Sequence, residues 1–490
     1  MQGKKQYEET LFLSFQLSQK IPEDNFYRRL KQTLDLSFVR KMTKKYYGSE
    51  GQLSIDPEVF FKLMLIGYIE NITSDRKIIE HASMRMDMLF FLGYNIDENL
   101  PWHSTLSRTR QLYGESLFLE VFRKILSICI SAGMVDGSRQ AVDSAFIKAN
   151  ASMESVSVRM SVEAKSYYQQ LQESEEKESP PEETNPEENP SVESTPVLKS
   201  RKRKGSYQNQ IYGSSTDPDA RITMKNHTKR DLYYYGQISV DTSSHVICGA
   251  KADFANQRDF ECLPALLEQT EINLGQHGLA VKELLADTGY SNGSGLKYLE
   301  EKGIDAYIPN LPNYLPEREG FTYKEEGDYY LCQSGVKLPF KRIHTDYRDQ
   351  TQYKVYASSR KDCRNCPLKA NCITAASHEH KHIEDTLYKP YYDRMHEKMK
   401  STKWKKMKNL RSSTVEPVLG TLLQFRRMRK VYTKGIGLAN KHVLLAASAY
   451  NLKKLLAFTA PKNKNAAIAT TKGVKNTIEN RLPNFFLWLN

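Results

Sequence analysis

Long apolar runs are missing from this 490-residue chain, and no stretch is apolar enough for long enough to span a bilayer. The opening residues, Met-Gln-Gly-Lys-Lys-Gln-Tyr-Glu-Glu, lack the apolar segment of a signal peptide. A cytoplasmic protein with no membrane partner is therefore expected. No G-x4-G-K-[ST] loop is present, so nothing calls for ATP. Cysteine is scarce. The seven residues are an odd number and four fall late in the chain, which argues against a disulfide framework. Tryptophan is scarcer still, and Trp102 and Trp404 both read as core anchors. Acidic charge is in deficit: 71 Lys and Arg against 58 Asp and Glu leave a net +13. That balance favours a polyanionic partner but does not by itself separate DNA, RNA and membrane surfaces.

What is present suffices for real cores, with 39% hydrophobic residues and room for about three domains. The chain is organised around Ala141-Val142-Asp143-Ser144-Ala145-Phe146-Ile147. This reads as a strand holding one acid among apolar and small residues. A buried lone carboxylate is costly unless something pairs with it; the alternative is an aspartate facing solvent at a strand end. Two later segments also carry acids: Val281-Lys-Glu-Leu-Leu-Ala-Asp287-Thr-Gly289, a strand running into a turn, and Arg411-Ser-Ser-Thr414-Val415-Glu416-Pro417, a helix start. Three carboxylates on separate elements have the chemistry to hold a pair of divalent ions.

Residues 1–136 read as a helical domain. Phe26, Leu30, Leu34 and Phe38 fall at helical spacing. Asp56-Pro57 is a cap followed by proline at the first helical position, and Phe60, Leu63, Met64 and Tyr68 form a stripe behind it. Further helices start at Ser74 and after Pro101, the latter with Ser104 as cap and Arg108 and Arg110 on its face. Leu117, Phe118, Val121, Phe122, Ile125 and Leu126 continue as a buried helix. Such a set suits DNA binding; a plain helical bundle with a solvated basic face reads equally well.

Past Asp143 the composition changes. Residues 171–190 hold eight Glu, four Pro and one Lys, too polar to bury a core, within a disordered linker expected over 165–210. Lys199-Ser-Arg-Lys202-Arg203-Lys204 follows with the opposite sign. It is either a solvated insertion or a tether to a phosphate backbone. Paired strands are expected over 232–240 and 245–251, a helix over 259–274, a strand ending at Asp287, a helix over 295–302 and a strand over 304–309. The order strand, hairpin, helix, strand, helix, strand is that of an RNase H-like α/β domain, here 137–310 completed by 400–460. Pro417 disfavours helix at the residue before it, which puts Glu416 near a helix start. There the helix dipole would also favour an acid with no other role. Residues 438–456 form a further helix, and 461–490 a loose tail.

The gap from Asp287 to Glu416 is 416 − 287 = 129 residues, long for one crossover. Its Cys-rich insertion, 311–399, holds Cys332, Cys363-x2-Cys366 and Cys372. The C-x2-C pair has zinc-ligand spacing, and the other two complete a closed four-cysteine site. Reduced thiols without metal are the alternative. His378, His380 and His382 are further candidate ligands or surface residues near DNA.

Taken together and in order, Val142-Asp143-Ser144, Thr216-Asp-Pro-Asp-Ala-Arg221, Tyr235-Gly-Gln-Ile-Ser-Val-Asp241, Ala286-Asp287-Thr-Gly-Tyr-Ser291 and Val415-Glu416-Pro-Val-Leu-Gly420 resemble the DDE transposases of bacterial insertion sequences. The look-alikes are those with a cysteine-bearing insertion before the glutamate. The resemblance implies that Asp143, Asp287 and Glu416 are the catalytic, Mg²⁺- or Mn²⁺-binding triad. It implies a chain working as at least a homodimer on DNA, in the bacterial cytoplasm and nucleoid. It further implies cleavage at terminal inverted repeats followed by strand transfer into target DNA. Where related enzymes carry a DNA-contacting lysine about seven residues after the glutamate, Leu423 stands here, so that contact is either absent or supplied by nearby Arg426, Arg427, Arg429 or Lys430. Arg108, Arg110, Lys202, Arg203 and Arg411 complete the expected DNA contacts. A metal-dependent nuclease without strand transfer, or an inactive DNA-binding protein, fits the same residues.

Overall fold

The computed structural model describes residues 16–48, 50, 54–159, 209–224, 229–312, 314–346, 352–373 and 379–460. The acidic block 171–190, Lys202 and Arg203, His378 and the tail 461–490 lie outside the described residues.

From Leu17 to Ser131 the described residues form helices and no strand. Side-chain caps set where several begin. Asn25 accepts from the Tyr27 and Arg28 N–H groups, Asp56 from Glu58 N–H with Pro57 at the first position, and Ser74 from Lys77 N–H. The expected stripe from Phe26 to Phe38 is not one helix. Phe26–Thr33 stops and Phe38–Thr43 restarts. Between them the Ser37 N–H donates to Asp35 Oδ1 at 2.9 Å, a local bond that competes with the helical ladder.

Helix His103–Leu112 begins after Trp102, and Ser104 is no cap: its hydroxyl instead accepts from Arg108 Nη2 at 3.0 Å, one turn on. Trp102 is 70% exposed and lies against His103, so it anchors no core; Leu106 takes the inward position. Trp404 is the buried one, packed beside Tyr307.

The main sheet runs, in spatial order, 247–254, 231–241, 139–148, 283–285, 305–307, with the short strand Arg221–Thr223 on the start of 231–241. Strand 231–241 is antiparallel to both its long neighbours; 283–285 and 305–307 run parallel to 139–148. Strand 231–241 is buried almost without alternation, as a strand covered on both faces must be. Helices Asp259–Gly275, Thr402–Phe425 and Ile436–Phe458 supply that cover. The last is apolar nearly all round, because it packs on strand 247–254, on helix Glu115–Ser131 and on helix Pro57–Ile69 at once. One apolar cluster consequently runs from Tyr27 to Leu456.

Residues 321–386 add a second, antiparallel sheet in the order 382–386, 352–357, 337–345, 329–332, 321–324, around a small core of Tyr330, Leu338, Tyr356 and Ile383. Among the described residues no helix is long and apolar enough to cross a membrane.

Candidate active site

Strand register brings the first two acids together. Ala141 pairs with Leu285 in a parallel ladder. Two residues further on, Asp143 stands within strand 139–148 and Asp287 just past the end of strand 283–285, where it caps the turn Thr288–Tyr290. The third acid arrives from helix Thr402–Phe425. Glu416 lies well inside that helix and not at its start, with Pro417 tolerated in the interior. The proline preference was overridden by tertiary packing: Val415, Val418, Leu419 and Leu422 are all buried and hold the helix against the sheet.

Arg411, five residues before Glu416 on the same helix, sits among all three acids. Its Nη2 donates to Asp143 Oδ2 at 2.7 Å and lies 3.9 Å from Asp287 Oδ2, while its Nη1 lies 3.8 Å from Glu416 Oε1. Asp143 also accepts from the Ser144 N–H at 2.8 Å, and Asp287 from the Gly289 N–H at 2.9 Å. Burial pushes the Asp143 carboxyl up to about 6, against the opposing pull of Arg411, with Asp287 and Asp259 adding to the rise. Asp287 is raised as well, by desolvation first, opposed by Arg411, with Asp259 adding to the rise. Glu416 is the exposed member, its side chain 61% accessible.

A fourth carboxylate, which the sequence showed only as a helix start, belongs to this group. Asp259 opens helix 259–275, where an acid suits the dipole. Its Oδ1 accepts from the Ser144 and Tyr235 hydroxyls. Its Oδ2 lies where Gly289 leaves room: a Cβ there would come within 2.5 Å of Asp259 Oδ2 and 3.0 Å of Asp287 Oδ1. Gly289 thus lets two carboxylates share one corner. Tyr290, fully buried beside them, has its phenol held strongly in the neutral form by burial and by the surrounding acids. No sequence pattern marked Asp259, because its partners come from strands 139–148 and 231–241.

As they stand, no three His, Cys, Asp or Glu side chains among the described residues meet in an ion-holding arrangement. The guanidinium of Arg411 lies among the carboxylates, one cation within 4 Å of all three. The donor set is one of hard oxygens, which suits Mg²⁺ or Mn²⁺.

The expected DNA contacts are scattered. Arg108 is exposed, and so is Trp102 at the start of the same helix. Arg110 is half-buried and paired with Asp75 at 2.6 Å. Arg426 and Arg427 are buried and donate to backbone carbonyls of Phe425, Ile69 and Thr73, so as positioned here they do not take the place of the lysine absent at Leu423. Arg429 is exposed and Lys430 half-buried over Tyr432. In the second sheet, Cys332, Cys363, Cys366 and Cys372 line one cavity of about 330 Å³. All are free thiols; hydrogen bonds from Ser334 and the Leu368 N–H lower the Cys366 thiol, while burial raises Cys372.

Two family models match the chain: a transposase domain over residues 15–112 and a transposase DDE domain over residues 331–456. The second contains Arg411, Glu416 and the four cysteines; Asp143 and Asp287 fall outside it. No curated protein matches the chain. Among solved structures, a piggyBac transposase synaptic complex with hairpin DNA aligns over 96% of this chain and 86% of its own, at 10% identity and a TM-score of 0.28. Residues 15–112 and 331–456 thus each match a transposase family model, the second that of a DDE domain.

Proposed function

We propose that this chain is an RNase H-like transposase that binds the terminal inverted repeats of its element, cleaves there and joins the cut ends to target DNA. The observation that carries this reading is the gathering of Asp143, Asp287 and Glu416 around one cation, Arg411, at the edge of the sheet. Strand order and direction support the core assignment: a central strand bearing the first acid, an antiparallel hairpin on one side and parallel strands on the other.

In this reading Asp143, Asp287 and Glu416 hold two Mg²⁺ or Mn²⁺ ions, which when bound supply activation of the attacking oxygen and charge neutralisation at the leaving one. The chain's own residues do the rest. Asp259, tied to Ser144 and Tyr235, fixes the strand on which Asp143 stands. Arg411, released from the carboxylates, offers a guanidinium to the scissile phosphate. Water attacks phosphorus at the element's end, the P–O3′ bond breaks and a 3′-hydroxyl is left. That hydroxyl then attacks a target phosphodiester, forming one P–O bond as another breaks. The helical region 17–131, with Arg108 and exposed Trp102, serves end recognition, and the four cysteines hold a structural zinc ion that braces the 321–386 sheet. Two chains act together, one at each end.

The test is cleavage of a duplex carrying the element's own inverted repeats, in Mg²⁺, by the intact chain and by Asp287→Ala. Cleavage by the intact chain alone, with end binding kept in both, supports the triad. Equal cleavage removes Asp287 from the chemistry. End binding without cleavage by either makes this an inactive DNA-binding protein. Cleavage without joining of pre-cut ends makes it a nuclease.

A further inference from the structure

Leaving helix Thr402–Phe425, the chain makes a strained turn. Arg427 has φ of +61°, the left-handed region, where a long side chain is rarely found. It is held there by its N–H, which donates to Asn71 Oδ1 at 3.0 Å, and by its carbonyl, 3.0 Å from His442 Nε2. The result is a guanidinium driven into the protein. Arg427 is only 7% exposed. Nη2 donates to the Thr73 carbonyl at 2.9 Å and the group lies over the Tyr68 ring, but Nε and Nη1 have no partner. Nη1 is close enough to helix 57–69 that a Cβ at Gly67 would come within 2.9 Å of it. Those two nitrogens are closed off from solvent, so what Arg427 brings to the space beside it is its charge and not a free donor.

Arg427 lines a cavity of about 230 Å³, on whose walls Arg110 and Lys441 also stand. Three cations therefore face one carboxylate, Asp75, which is already paired to Arg110. Lys441 spends two of its donors on the Arg110 and Tyr113 carbonyls. Glu115 lies near Lys441 but off the cavity wall, accepting from Asn440. His442, the remaining titratable wall residue besides Tyr68 and Tyr432, is pushed down to about 3 by burial first and by Arg427 and Arg110 next, so it is neutral and neither adds to nor offsets the three cations. Ser107, Thr73 and Thr433 contribute neutral polar surface. Such a charge balance in a part-enclosed space calls for an anion.

We propose that this cavity binds one phosphate group, with Arg427, Arg110 and Lys441 as its cations, and that on DNA the group is a backbone phosphodiester. The position suits that occupant. The walls come from helices 57–69 and 103–112 and from helix 436–458, so a phosphate seated there ties the N-terminal helices to the segment that follows the Glu416 helix. The phosphodiester source rests on the transposase reading; the phosphate site does not.

The experiment uses the full chain and two single variants at lining residues from different segments, Thr433→Glu and Ser107→Glu, each placing a carboxylate in the cavity. Inorganic phosphate is compared with chloride at equal ionic strength by thermal shift. Binding of an inverted-repeat duplex and of an unrelated duplex is measured across a salt series. Phosphate is expected to raise Tm of the parent by several degrees and of neither variant. Both duplexes should bind the variants about tenfold more weakly, with the log–log salt slope reduced by about one. Phosphate stabilisation lost in the variants with duplex binding unchanged overturns the DNA occupant and leaves free phosphate. No phosphate effect on the parent, or an equal effect on all three proteins, overturns the site. A variant that fails to fold in chloride is replaced by the other, and if both fail the parent's own response to phosphate decides the site. Cleavage is not read, so a chain that binds ends without cutting them leaves the result interpretable.

Discussion

Arg411 donates from Nη2 to Oδ2 of Asp143 at 2.7 Å, joining the middle of a 24-residue helix to the central strand of the sheet across 268 positions of sequence. This one bond places a cation between the first acid and the other two, and it would make Arg411 a competitor for any ion bound by those carboxylates.

Replacing it should therefore tighten metal binding. A charge-assisted hydrogen bond of this kind contributes about 1.5–3 kcal/mol. Arg411→Gln is expected to bind Mn²⁺ roughly tenfold more tightly by calorimetry, and to melt earlier than the parent in the presence of a chelator, because three acids are left facing one another. An unchanged or weaker Mn²⁺ affinity would show that Arg411 does not occupy the ion's place.

Asp259 touches no acid of the triad through a hydrogen bond, yet it sets the corner they share. Asp259→Asn removes the charge while keeping the shape. Loss of an orienting partner of this kind typically costs about 10–100-fold in metal affinity or activity. Both Mn²⁺ affinity and end cleavage should fall in that range while duplex binding stays at the parental level. If Mn²⁺ affinity stays put and only stability drops, Asp259 is a structural residue and no more.

The four cysteines give a composition test. Full-length protein purified without chelator should carry about one zinc per chain by elemental analysis, and Cys363→Ser should lose it. Removing the ion should destabilise the 321–386 sheet, whose own core is small. Four thiols that titrate freely with no zinc released would end the zinc reading.

His442 predicts an acid-side slope. Its folded value, pushed down to about 3, lies below the ordinary 6.5 because burial and the Arg427 and Arg110 charges oppose its protonation. The unfolded chain then takes up a proton that the folded chain refuses, so stability is lost as pH falls from 6.5 toward 3. The loss approaches about 1.4 kcal/mol per pH unit within that window. His442→Gln should flatten this part of a urea-denaturation pH series. A slope unchanged by the substitution would place the proton uptake elsewhere.

Much of the helical region and of the sheet was legible because local chemistry agrees with the tertiary outcome. Asp56-Pro57 caps a helix whose following residues are buried almost to the last, and the two runs expected to pair over 232–240 and 245–251 form the hairpin. Legibility failed where a tertiary partner outweighed a local preference. Pro417 argued for a helix start, but burial of Val415 and Val418 on either side of it keeps the helix running through. Trp102 argued for a core anchor, but Leu106 already fills the inward position of its helix. Arg426 and Arg427 suggest an exposed basic run, but the left-handed turn at Arg427 folds both off the open surface, Arg427 onto the wall of a cavity.

The sequence by itself determined the candidate acids, Asp143, Asp287 and Glu416, and the order of elements that carry them, because strand and helix periodicities and the spacing of motifs are properties of neighbouring residues. Only the tertiary structure decided that Arg411 stands among those acids, that Asp259 joins them, and that Arg110, Arg427 and Lys441 converge on one cavity. Those are meetings of charge across tens to hundreds of residues, and no local pattern records the desolvation and pairing that fix them.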